Sequence, residues 1–432
     1  MSTFEAGSAP ARSPSPPRRG LARIFGAGLI TGAADDDPSG IATYSQAGAA
    51  FGYGLAWTML FTLPLLAAVQ EIAARVGRGT GQGIAANLRR LLPRWVLVAC
   101  VLLLAIANVV NLGADLGAMG EAASLVIGGP AHPYVILFGI VSALAAILVD
   151  YRVYVRILRW LTLSLLAYVG TVLAVPVPWG SVLAAVALPP VELTSPYLLA
   201  VTAVFGTTIA PYLVFWQAAE EVEDMAANAP AAGPEPPEIA RRELRRIRVD
   251  TWVGIGFSNL VGFFVIVATA ATLNQAGIAD IETAEQAAEA LRPIAGPFAS
   301  FAFAAGIIGT GLLAVPVLAG AAAYAIGEAA GRPVGLGRRP SEARTFYGVI
   351  AFATLLGTLL HFTSIDSMRA LFASAVINGI LVVPILAALL VVAANRQALG
   401  AFRPGHRLLA AGWVTVAVMG AAALGLAGAW LG

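Results

Sequence analysis

The stretch Asp35-Asp36-Asp37-Pro38-Ser39-Gly40 sets three carboxylates and a helix breaker inside an apolar segment at about residues 22–46. Charge at membrane depth is costly and is kept where it lines a path or holds a cation. Proline removes a backbone donor and clashes with the preceding turn, so a helix entering this stretch breaks there. An acidic break inside an apolar segment reads as part of a metal-ion site.

The rest of the chain supplies the membrane. Of its 432 residues, 59% are hydrophobic and 12% charged, with a mean hydropathy of +0.81, far beyond the soluble average. Stretches long enough to cross a bilayer fall at about 22–46, 51–74, 94–116, 132–150, 157–177, 195–218, 252–273, 297–325, 345–361, 367–392 and 407–431. The expected class is an all-α polytopic membrane protein with about eleven transmembrane helices. Residues 1–20 are rich in Ala, Ser, Pro and Arg and lack an apolar core, so a disordered cytoplasmic tail without a cleaved signal peptide is expected. The single cysteine, Cys100, lies in an apolar run and excludes a disulfide within the chain.

Charge orients the spans. All 26 basic residues are arginine, and with a cytoplasmic N-terminus 24 of them fall on the cytoplasmic side. They cluster at Arg12–Arg23, Arg75–Arg94, Arg152–Arg159, Arg241–Arg248, Arg332–Arg344 and Arg396–Arg407, leaving Arg292 and Arg369 outside. This bias obeys the positive-inside rule and implies a multi-pass protein of the inner (plasma) membrane. The partners expected are ions and the lipid bilayer, with the chain working as a monomer; a net charge of +2 offers no case for nucleic acid. Two loops stand out. The cytoplasmic segment 219–250 reads as a solvated linker with a short surface helix, and the external acids Asp280, Glu282, Glu285 and Glu289 read as a solvated helix at the outer mouth.

Span six carries a second break, Gly206-Thr207-Thr208-Ile209-Ala210-Pro211-Tyr212. Five spans separate it from the first, so each break opens one half of a five-plus-five arrangement: residues 21–177, then 195–392, with 407–431 as an additional helix. Paired interruptions at corresponding positions point to an inverted-repeat transporter with its site at the bilayer midplane. Non-helical backbone at that depth must line a cavity or be buried in protein, which frees carbonyl oxygens as ligands. Asp37, nearest the break, is the expected direct ligand. Asp35 and Asp36 point in different directions around a helix and are expected to hold water or line the inner path. If the half-helix before Pro38 ends near Asp37, its C-terminal carbonyls oppose the carboxylates by dipole, a conflict a bound cation would reverse.

These residues resemble a known family. Asp37-Pro38-Ser39-Gly40, then Gln46-Ala47-Gly48-Ala49-Ala50-Phe51-Gly52-Tyr53, and the run from Gln70-Glu71 to Gly79-Thr80-Gly81 are similar to the opening spans of the natural resistance-associated macrophage protein (Nramp) family. Ala114-Asp115-Leu116, Leu318-Ala319-Gly320 and Gly327-Glu328 extend the likeness, which covers about residues 24 to 392. The resemblance implies the LeuT fold with broken helices 1 and 6, and transport of divalent transition metals, usually coupled to protons. Members carry Asp-Pro-Gly-Asn in span one and Met-Pro-His in span six; this chain has Gly40 in place of the asparagine and Ala210-Pro211-Tyr212 in place of the second motif.

Losing the thioether removes the soft ligand that favours manganese and iron. The Asp37 carboxylate remains, with carbonyls of Gly40, Thr207 and Ala210 and the Thr207 hydroxyl. An oxygen site with room for water suits magnesium, which sheds its hydration shell reluctantly, and the chain resembles the prokaryotic Nramp-related magnesium transporters most. Tyr212 and Ala118 stand where the family has a histidine and a glutamate linked with protons, so Asp115 is the titratable remnant and uncoupled uptake of Mg2+ and Mn2+ is the preferred mechanism. Proton-coupled Mn2+/Fe2+ transport is the alternative. A LeuT-fold amino acid transporter is the reading from another class, disfavoured by the anionic break, and a hydrolase would have only Asp37 and Asp115 as a pair. No enzyme activity or cofactor is expected, since the metal is the substrate.

The remaining intramembrane amides, Asn108, Asn111, Asn259 and Asn378, suit interhelical hydrogen bonds, with Asn378 the foremost pathway candidate among them. Gln217 occupies a position where the family often has a second histidine. His132, His361 and His406 lie near span ends, and Glu71 with Arg75 reads as a structural ion pair.

Overall fold

A computed structural model describes Gly32 and residues 35–149, 163–227, 237–362 and 366–431. The expected tail, the first half of span one, the arginines at 152–159 and the middle of the 219–250 segment lie outside the described residues. The main helices are α1 (Pro38–Phe51), α2 (Trp57–Thr80), α3 (Ile84–Leu91), α4 (Arg94–Ile127), α5 (His132–Leu148), α6 (Leu166–Ala174), α7 (Trp179–Ala187) and α8 (Ser195–Thr208). Then follow α9 (Pro211–Ala227), α10 (Pro237–Thr269), α11 (Ala284–Glu289), α12 (Ala299–Ala329), α13 (Arg344–Leu360), α14 (Ser367–Ala394) and α15 (His406–Leu431). No strand occurs among the described residues.

Every expected span contains helix among the described residues. Among the described residues seven segments are long and apolar enough to cross a membrane alone: α2, α4, α8 with α9, α10, α12, α14 and α15. The apolar helices α5 and α13 are shorter, at 17 residues each. Helix α7 was not anticipated. Pro176 and Pro178 stop α6, and the chain resumes as a short helix bent by 114° from it, because proline ends one helix yet is tolerated at the start of the next.

Lipid offers no hydrophobic drive between helices, so contact depends on small residues that let backbones approach. At Gly206 of α8, an added Cβ would lie 2.4 Å from the Gly379 amide nitrogen and 2.6 Å from Gly379 Cα, so α8 and α14 meet backbone to backbone. Gly311 of α12 instead makes room for side chains, since a Cβ there would sit 2.7 Å from Met119 Cγ and 3.2 Å from Pro38 Cγ. Helices α8 and α9 form the centre, 89% buried along their apolar window, whereas α15 is 17% buried and peripheral.

The arginine-rich end is laced together. Glu71 pairs with Arg75 at 2.5 Å and with Arg248 at 3.4 Å, in line with the structural pair read from spacing. Glu221 and Glu223, among the acids following span six, are held inside the protein rather than solvated, unlike the linker reading. They continue α9: Glu221 is fully buried against Arg246 at 2.6 Å, and Glu223 accepts from the Tyr324 hydroxyl and the Leu336 amide, both at 2.8 Å. Arg246 of α10 holds Glu221 inward and the Tyr324 hydroxyl with the Leu336 amide holds Glu223, because a buried acid requires a partner. At the opposite end Glu285 and Glu289 do lie on a helix, α11, started by a Thr283 capping box, while Asp280 and Glu282 precede it. There Glu289 pairs with Arg292 at 2.8 Å and Glu282 with Arg369 at 2.9 Å.

Candidate functional site

The first break is built by Asp37. Its backbone is extended (φ −70°, ψ 170°), and its Oδ1 accepts the Gly40 amide at 2.7 Å, making it the N-cap of α1. The carboxylate therefore meets the positive end of a helix, where an anion is favoured. Against the expected dipole conflict with the preceding half-helix, Asp37 caps the helix that begins at Pro38. Gly40, the third residue of α1, donates its amide to Asp37.

The other oxygen, Oδ2, accepts from Asn111 Nδ2 and from the Tyr212 hydroxyl, both at 3.1 Å. Asn111 is aimed by Ser374 of α14, which donates to its Oδ1 at 2.6 Å. Four helices thus converge on one carboxylate that is 1% exposed.

The second break lies opposite. Helix α8 ends at Thr208, Ile209 and Ala210 are non-helical, and Pro211 starts α9. The last carbonyls of a helix lack partners within it, so the end of α8, Thr207 included, presents oxygen to the break. Ser39 Oγ and Thr207 Oγ1 lie 3.3 Å apart, and Tyr44 OH and Thr208 Oγ1 3.1 Å apart, so hydroxyls from both breaks join across the site. Ala210 is buried in the gap and brings no side-chain ligand.

Asp35 and Asp36 do not diverge as expected. Both are buried and both reach Ser258 of α10, at 2.7 and 3.0 Å from its Oγ. One hydroxyl proton cannot serve two acceptors at once, so Ser258 satisfies one carboxylate at a time. Asp115 of α4 is fully buried and within charge-interaction range of Asp37. Neither of its oxygens makes a hydrogen bond of good geometry among the described residues, though the Ser39 amide faces it. Asn378 is buried beside Gly379, where α14 touches α8, and its Oδ1 makes no such bond either. Gln217 is buried five residues beyond Tyr212 on α9.

Asn111, Ser39 and Ser258 were not singled out as site residues from sequence. Asn111 had a signal, since it stands four residues before Asp115 and so shares its helix face. Ser39 lay within the opening motif. Ser258 had none, being separated from the acids by more than 220 residues. Asn108 and Asn259 make the interhelical bonds expected of them, to Leu318 O at 3.0 Å and Met59 O at 2.7 Å. Among the described residues no three His, Cys, Asp or Glu side chains converge as a ready-made metal cage; the centre combines a carboxylate with hydroxyls, amides and helix-end carbonyls.

Comparison with known proteins agrees with this arrangement. Residues 28–428 match the family model described as natural resistance-associated macrophage protein-like. The divalent metal cation transporter MntH of Chromohalobacter salexigens is 27% identical over 399 residues, 90% of this chain and 87% of its own. That of Deinococcus radiodurans is 26% identical over 419 residues, 93% of this chain and 89% of its own. Among solved structures, the Eremococcus coleocola manganese transporter superposes with a TM-score of 0.74 at 16% identity, covering 93% of this chain and 85% of that one. Mhp1, a nucleobase-cation-symport-1 family transporter, superposes at 0.55 and 16% identity, covering 94% and 92%. The shared architecture is the LeuT fold, a five-plus-five inverted repeat with helices 1 and 6 broken. The chain belongs to the natural resistance-associated macrophage protein family, whose members are transporters and not enzymes.

Proposed function

We propose that this chain imports divalent metal cations, Mg2+ and Mn2+, across the inner membrane by alternating access, uncoupled from protons and driven by the membrane potential. The observation that carries this reading is the buried Asp37 carboxylate, held by Gly40, Asn111 and Tyr212 where both helix breaks meet. Relatives bearing the name divalent metal cation transporter support the cargo class. The oxygen-only surroundings support a hard, partly hydrated ion: magnesium is commonly held by one or two carboxylates with several waters kept, and Ala210 offers no thioether to favour softer metals.

The direct ligands in this reading are Asp37, the Thr207 hydroxyl and carbonyl, and the Ala210 carbonyl, with Gly40 acting through its amide. Asp35, Asp36, Asp115, Tyr212, Gln217 and Asn378 line the path or the second layer. The repeats run over 21–177 and 195–392, with 407–431 packed outside them, the N-terminus is cytoplasmic, and the chain works as a monomer in lipid. An inside-negative potential contributes about 2.3 kcal/mol per charge per 100 mV, so a divalent ion gains about twice that. Proton coupling is the second reading, favoured by one observation: Asp115 is buried within charge range of Asp37. Uptake by purified protein in proteoliposomes, with ion, pH and potential varied separately, decides between them. Absence of divalent flux under any of these gradients would overturn the proposal.

A further inference from the structure

The hydrogen bonds that hold Asp37 also close it to a cation. A carboxylate offers about four lone-pair positions, two on each oxygen. Oδ1 accepts the Gly40 amide at 2.7 Å, and the Ser39 amide faces the carboxylate from the same turn. Oδ2 accepts two donors at once, Asn111 Nδ2 and the Tyr212 hydroxyl, both at 3.1 Å. A divalent ion carried by this carboxylate needs one donor to leave, because an N–H aimed at the oxygen turns its positive end toward the ion too. The Gly40 and Ser39 amides belong to the capped first turn of α1 and are fixed by its backbone. The donors able to yield are therefore the two side chains. A single remaining donor, the Tyr212 hydroxyl, still leaves one lone pair of Oδ2 free for the ion.

The surroundings of Asn111 let it turn without losing a bond. Its Oδ1 accepts from Ser374 Oγ at 2.6 Å, and the same Oγ lies 2.7 Å from the Leu371 carbonyl. A hydroxyl has one proton and two acceptor lone pairs, so Ser374 can donate to Asn111, or donate to Leu371 and accept from Asn111. Turning the Asn111 amide over exchanges two atoms of nearly equal reach. Nδ2 then donates to Ser374, Ser374 donates to Leu371, and every polar atom stays paired in a place where both residues are buried. Oδ1 takes the position Nδ2 held, 3.1 Å from Asp37 Oδ2. Adjacent oxygens of an octahedral magnesium ion, at metal–oxygen distances of about 2.1 Å, are themselves about 3 Å apart. The exchanged oxygen thus fits the edge of such an octahedron.

We infer that Asn111 of α4 is a ligand of the transported ion, brought to it by a turn of its amide that Ser374 of α14 permits by changing from donor to acceptor. The inference rests on the cargo proposed above and adds a neutral oxygen to the ligands drawn from the two breaks. Ser374 is a positioning residue that aligns the amide in either orientation.

A fixed donor and a ligand predict opposite signs. Mn2+ titrated into purified protein in a calorimeter reads them. Asn111→Leu keeps the shape of the side chain without its polar atoms, and Ser374 retains its bond to Leu371, so the melting temperature should stay close to that of wild type. Loss of a ligand should weaken Mn2+ binding by about ten-fold or more in Asn111→Leu, whereas Asn111→Asp, which keeps an oxygen, should bind at least as tightly as wild type. Ser374→Ala should weaken binding about ten-fold, the low end of what a ligand's orienting partner contributes. If Asn111 only donates to Asp37, it competes with the ion, and Asn111→Leu would leave binding unchanged or tighter. That result, with Mn2+ bound by the wild type, overturns the ligand role and leaves the cargo standing. Wild-type protein that binds no Mn2+ overturns both. Should Asn111→Leu not fold, infrared difference spectra of protein carrying 13C at the asparagine side-chain carbonyl give the same decision: Mn2+ should shift an amide carbonyl band in wild type and not in Asn111→Asp, and the absence of any shift in wild type overturns the ligand role.

Discussion

At the scale of single residues, Asp37 concentrates the chemistry because it performs two tasks with one side chain. One oxygen starts α1 and the other is shared by Asn111 and Tyr212. Asp37→Ala should remove most metal binding and transport. The cap itself is worth about 0.5–2 kcal/mol, a loss that leaves a folded protein, so calorimetry with Mg2+ or Mn2+ on the well-folded variant separates ligand loss from misfolding. Uptake at the wild-type rate would rule Asp37 out as the ligand. Ala210 poses the complementary question. Ala210→Met restores a soft sulfur and displaces water, so preference should shift toward Mn2+ or Cd2+ with Mg2+ uptake reduced. Competition assays read this directly, and unchanged selectivity would show that position 210 does not face the ion.

At the scale of elements, the site exists because helix ends meet there, and helix ends meet because glycines allow it. A methyl group at Gly206 would press on backbone atoms of Gly379 and on the Ala375 carbonyl, none of which can rotate aside. Gly206→Ala should therefore push α8 from α14 and destabilise the protein by about 1–3 kcal/mol, the usual range for overpacking. A lowered melting temperature in detergent with transport reduced in parallel is the expected pair of readings; an unshifted melt would mean that the two helices are not locked together at this point. The arginine-rich end offers a second case. Glu221 is fully buried against Arg246, and removing one partner of a buried pair costs about 3–5 kcal/mol. Arg246→Ala should thus be far more damaging than Arg292→Ala, whose pair with Glu289 is largely exposed and contributes little. Thermal unfolding of the two variants side by side makes the comparison.

At the scale of the whole molecule, the question is what drives the ion. With Tyr212 hydrogen-bonded to Asp37 and Ala118 carrying no ionisable group, Asp115 is the acid nearest the site on α4. Under the proposed mechanism, an imposed inside-negative potential drives Mn2+ into liposomes without acidifying the lumen. An inward proton gradient at zero potential drives no accumulation. Acidification that depends on metal and disappears in Asp115→Asn would return the protein to proton-coupled transport.

Membrane class, span positions and both breaks were legible along the chain, because each depends on local properties: runs of apolar side chains long enough to cross a bilayer, prolines that remove a backbone donor, and arginines gathered at alternate loops. The identity of Asp37 as the central acid was legible for the same reason, since it adjoins Pro38. Tertiary structure decided what surrounds it. The hydroxyl of Ser258 serves Asp35 and Asp36 from α10, and the amide of Asn111 is aimed by Ser374 from α14. These contacts join residues scores to hundreds of positions apart. They form where glycines bring helices close in space, and no period or motif along one helix records which partner its neighbour will present.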